Sequence, residues 1–70
     1  MSITPITTTT GRVLYAVAID PQDRLRLYAA VTPERAAKAQ EQLSSLSFLE
    51  IVADLIPLTE VGFNLWTEVD

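Results

Sequence analysis

Residues 12–19, Arg-Val-Leu-Tyr-Ala-Val-Ala-Ile, read as a β-strand with no polar face. Val13, Tyr15, Val17 and Ile19 fall on one side, and Leu14, Ala16 and Ala18 on the other. A strand with one solvated face alternates apolar with polar residues; this one must be covered on both sides. The chain has only 70 residues, which leaves one covering layer and little more. Any fold for this chain must therefore hide a second sheet face.

The next residues supply a partner strand. Asp20-Pro21-Gln22-Asp23 carries the chemistry of a turn, with Asp at the first position and Pro at the second. In residues 24–31, Leu25, Leu27, Ala29 and Val31 alternate with Arg24, Arg26, Tyr28 and Ala30, which predicts a hairpin. Loop parity decides which faces coincide. An odd loop over residues 20–24 sets Ile19 opposite Leu25 and Val17 opposite Leu27. It gathers the large aliphatics with Tyr15 and leaves Leu14, Ala16, Ala18, Arg26 and Tyr28 on the reverse face. An even loop would place Arg24 and Arg26 beside Ile19 and Val17. The odd register is preferred because it separates the charges.

Thr32-Pro33-Glu34 marks a helix start: an N-cap hydroxyl, a proline at the first helical position and an acid near the positive dipole end. Ala36, Ala39, Leu43 and Leu46 form a shallow apolar stripe suited to close approach to a sheet. Ser47 with Glu50 three residues later resembles a capping box. Phe48, Ile51, Val52 and Leu55 follow at helical spacing until Pro57. Two short helices are preferred over one helix followed by a strand. Residues 61–69 then alternate and read as a third strand, with Val61, Phe63, Leu65 and Val69 opposite Asn64, Trp66 and Glu68.

The expected fold class is α+β, a small ββα(α)β domain over residues 11–70. Its three-stranded sheet begins with the N-terminal hairpin and carries the helices packed on one face. A single crossover would make the third strand parallel to the second, beside the first; two antiparallel helices would reverse it. Residues 1–10 are a flexible tail or an edge strand, since Pro5 cannot donate to a central ladder.

Composition narrows function. Cysteine and histidine are both absent, so no disulfide, thiolate chemistry or ordinary transition-metal site is expected. The expected cofactor is none. A net charge of −4 with five Lys and Arg argues against a nucleic-acid partner. A mean hydropathy of +0.24 argues against disorder over the whole length. Residues 48–58 are too short and too interrupted for a membrane span, and the first ten residues lack the pattern of a signal peptide. A cytoplasmic setting is the expectation.

No enzyme is expected either. Asp20 and Asp23 are explained by their turn and do not follow a calcium-loop pattern. The hydroxyls of Thr7 to Thr10 read as a solvated tail, and Glu50 with Asp54 as a solvated helix face. Gly11 and Gly62 are isolated, so no phosphate loop exists. Arg12, Arg24 and Arg26 with Tyr15 and Tyr28 are better explained by cross-strand packing than by single-stranded nucleic acid.

What stands out is the reverse sheet face. If the third strand turns Phe63 toward the helices, Trp66 joins Leu14, Ala16, Arg26 and Tyr28 on the opposite side. Tryptophan, tyrosine and arginine are the side chains enriched at interface hot spots. The competing explanation folds Trp66 into the domain's own core. The reading is a small non-enzymatic protein–protein interaction module, either a homo-oligomer or an accessory, regulatory or inhibitory subunit. The alternative is a small-ligand-binding domain with a pocket at a subunit interface.

Overall fold

The computed structural model describes residues 3–69. Its elements run β1 (Pro5–Thr7), β2 (Val13–Asp20), β3 (Asp23–Ala30), α1 (Pro33–Gln42), α2 (Phe48–Val52), β4 (Ile56–Gly62) and β5 (Leu65–Glu68). The five strands make one antiparallel sheet in sequence order. The sheet curls into a half-barrel. The expected three-stranded sheet is therefore wrong. The helices interrupt a simple meander, and β4 returns antiparallel beside β3 rather than crossing to β2.

One extra strand is β1, and two local features hid the division between β4 and β5. Residues 61–69 are not one strand: the alternation runs through a hairpin whose turn is Phe63-Asn64. Asn64 adopts φ 57°, the left-handed region that asparagine enters more readily than most residues. The other feature is Pro57, which lies inside β4. The Val69 N–H donates to the Pro57 carbonyl at 3.0 Å, so the Pro57 backbone faces β5 rather than β3. Its missing N–H thus falls at the end of the outer ladder and leaves the β3 pairing intact.

The β2–β3 register also differs from the expected one. Asp20 pairs with Asp23 across a tight Pro21-Gln22 turn, yet Ile19 pairs with Leu27, not Leu25. Residues 24–26 bulge because the turn acids bind local donors. Asp20 Oδ1 accepts from the Gln22 N–H at 2.9 Å, and Asp23 Oδ1 from the Leu25 N–H at 3.0 Å. A second bulge separates Ala16 from Ala18. It turns both Val17 and Ala18 toward the helices, splitting the aliphatics that the unbulged register would have gathered.

Two cores result, one on each side of the sheet. On the outer face Val17 and Ala30 pack with Ala36, Ala39, Ile51 and Leu55 of the helical layer. Its helices begin as the sequence predicts. Thr32 Oγ1 accepts from the Arg35 N–H, and Ser47 with Glu50 completes a capping box. On the inner face Leu14, Leu27, Ala29 and Leu58 are buried with no helix near them. The curl itself covers that face, bringing Ile6, Ile56 and Trp66 over it.

Closure comes from the threonine-rich segment. Thr8 forms a parallel bridge to Trp66, and the Thr9 N–H donates to the Trp66 carbonyl at 2.9 Å. Thr9 Oγ1 bonds Thr67 Oγ1, and Arg12 pairs with Glu68 at 2.9 Å. Thr8 is the buried polar residue of the described core, with its hydroxyl accepting from the Arg12 N–H. Of the expected tail or edge strand over residues 1–10, residues 5–7 form an edge strand and Thr8 and Thr9 a clasp, while residues 1 and 2 lie outside the described residues.

Candidate functional site

The five residues expected to form one interface divide between the two faces. Leu14, Ala16 and Trp66 belong to the inner cluster, whereas Tyr28 packs with the helix-side core. The Tyr28 ring meets Phe48 edge-on at 5.5 Å, and its hydroxyl donates to Asp20 Oδ2. Arg26 precedes Tyr28 by two residues on β3 and so shares its face. Leu14 is 0% exposed and cannot touch a partner. Strand alternation held for Leu14 and Ala16 on one side of β2 and Tyr15 and Val17 on the other, but not for Ala18, which joins Val17 on the helix side. The Val17–Ala18 bulge and the curl then redistributed them.

Of the ten large apolar side chains exposed among the described residues, five gather at one end of the sheet. Arg26 pairs with Thr59, and β3 and β4 run antiparallel, so the start of β3 lies beside the end of β4. The β2–β3 and β4–β5 turns therefore occupy the same end. Phe63 at the β4–β5 turn is 93% exposed, flanked by Val61 at 57% and Leu65 at 55%. Ile19 and Leu25, beside the other turn, are exposed as well. Gly62 permits the close approach: a Cβ there would stand 3.1 Å from Leu65 Cδ1. Asp20, Asp23, Arg24 and Glu60 lie around these apolar tips. The sequence signal was available in Phe63, but its alternation with Leu65 suggested a strand facing the helices. Phe63 lies instead in the turn between β4 and β5, and α1 packs across β2 and β3.

A second feature is a cleft of about 480 Å³ where β1 and the start of β5 diverge above the Thr8–Trp66 bridge. Thr4, Pro5, Ile6, Thr7, Asn64 and Trp66 line it. None of the six carries a charge. Sequence reading assigned Trp66 to a partner interface and gave no reason to set it beside residues 4–7.

Among the described residues no cluster of acidic side chains is arranged to hold a metal ion. No described helix is long and apolar enough to cross a membrane. Comparison with protein-family models, curated proteins and solved structures finds no match to this chain.

Proposed function

We propose that this chain is a non-enzymatic protein–protein interaction module, and that its contact surface is the apolar hairpin end rather than the reverse sheet face. The observation that carries the reading is the exposure of Phe63 between Val61 and Leu65. A phenylalanine held in water at a two-residue turn costs solvation and contributes nothing to the fold. Buried in a partner, an aromatic anchor of this kind supplies a large share of binding energy. The charged residues around it suit the polar rim of such an interface. Self-association and docking on a larger protein both fit, in the cytoplasmic setting expected from the sequence.

Light scattering on a size-exclusion column across a wide concentration range tests self-association, with Phe63→Ser beside the wild type. An oligomer that Phe63→Ser dissociates supports the self-associating form. Cross-linking in the native host tests the other form, in which a partner contact is lost in the variant. A monomer at every concentration, with cross-links unchanged by Phe63→Ser, defeats the proposal.

A further inference from the structure

We infer that residues 43–55 form a strap that unfolds locally, as one unit, while the sheet and α1 stay folded. The segment runs between two firm anchors. Before it, α1 lays Ala36 and Ala39 on the sheet, 0% and 2% exposed. The Gln40 carboxamide also donates to the Ala16 and Val17 carbonyls at the β2 bulge. After it, Ile56 pairs with Ala29 and begins the β3–β4 ladder.

Between these anchors the attachment is thin. Among the described residues, one hydrogen bond reaches from the strap beyond its adjoining turns, Arg35 Nη2 to Asp54 Oδ2 at 2.9 Å. Both partners are exposed, and a pair of that kind contributes little in water. The remaining bonds are local. The Leu43, Ser45 and Leu46 N–H groups donate to the end of α1, and Ser47 exchanges bonds with Glu50. Residues 43–47 and 53–54 are exposed. Packing therefore falls to Ile51 and Leu55 in the helix-side core, with Val52 beside them and Phe48 edge-on to Tyr28.

The helix itself cannot make up the difference. Five residues are too few for α2 to persist without tertiary support. Its capping box fixes where it starts but adds no link to the sheet. Leu49, near its centre, is 80% exposed. Four side chains must offset the conformational entropy of the whole stretch. Opening also spares the rest. The inner core of Leu14, Leu27, Ala29 and Leu58 includes no strap residue, and α1 keeps its own seat. What opening uncovers is the helix-side floor at Val17, Tyr28 and Ala30.

Native-state hydrogen exchange on the full chain, read by NMR, tests this. The α2 amides are expected to exchange about 100-fold faster than the slowest amides of β2 and β3. Low urea should hardly change the α2 rates, because a local opening exposes little surface, but should steeply raise the sheet rates. Trp66, on the inner face, should keep its native emission over the same range. Ile51→Pro supplies a second measurement, since it keeps the strap from closing. That variant should lose the helical chemical shifts of α2 and retain the resonances of α1, β2 and β3. The two results are linked in number. The ratio of sheet to strap protection is also the folded-to-unfolded ratio of a chain whose strap is open, so 100-fold implies about 1% unfolded Ile51→Pro.

Three results overturn the inference. One is α2 exchange with the same rate and urea dependence as β2 and β3. Another is a set of strap amides that open independently of one another. The third is an Ile51→Pro chain that is largely unfolded, because the sheet and α1 would then not stand alone. Phe63 lies outside the strap, so none of these outcomes bears on the hairpin-end proposal.

Discussion

At the scale of single residues, side chains of similar chemistry have opposite values according to the face they occupy. Leu58 and Leu14 are each 0% exposed on the inner face, whereas Leu49 on α2 is 80% exposed. Truncating Leu58 removes contacts on all sides and leaves a cavity that a curled sheet cannot easily close. Leu58→Ala is expected to destabilise by about 2–5 kcal/mol, and Leu49→Ala by about 0.5 kcal/mol or less. Urea unfolding followed by circular dichroism measures both. Equal effects would mean that the inner face is not the second core. Leu14 was legible as half of a doubly apolar strand, because alternation is local. Leu58 was not. It sits one residue after Pro57 in a stretch whose helical spacing and proline both argued against a strand, and only pairing with β3 reveals its role.

Among the elements, legibility followed hydrogen-bond chemistry confined to a few residues. Thr32 and Ser47 cap their helices as their positions implied, because an N-cap needs only its own side chain and a nearby N–H. Replacing Thr32 by Ala is expected to cost about 1 kcal/mol, read as a lower unfolding midpoint in urea. The β4–β5 hairpin was hidden for the opposite reason. Its turn residues, Phe63 and Asn64, continue the two-residue alternation of the strands on either side. The sign of a turn is a backbone angle, not a pattern. That angle can be tested: Asn64→Gly should leave stability unchanged or raise it slightly. Asn64→Val should lower it by about 1–3 kcal/mol, because a β-branched residue is strained at positive φ. If valine and glycine are equally tolerated, the turn does not depend on the left-handed conformation.

For the molecule as a whole, a sheet apolar on two sides needed either company or a way to cover itself. The curl covers most of it. Ile6, Ile56 and Trp66 come over Leu14 and Leu58, and the helices cover the other side. Curl is a long-range property, set by bulges and by the meeting of residues 8–12 with 66–68, so nothing in local periodicity announced it. The clasp is built largely of backbone hydrogen bonds and buried Thr8, with the half-exposed Arg12–Glu68 pair contributing little in water. Two variants separate these contributions. Arg12→Ala is expected to cost no more than about 1 kcal/mol, and less in high salt. Removing residues 1–8 takes away β1, Ile6 and Thr8 together, opening the inner core along Leu14 and Trp66. The truncated chain should show red-shifted Trp66 emission, bind a hydrophobic dye and unfold at lower urea or associate through its opened sheet. A truncated monomer with unshifted emission and full stability would mean that the N-terminal strand is ornamental and the inner core is held by β2 to β5 alone.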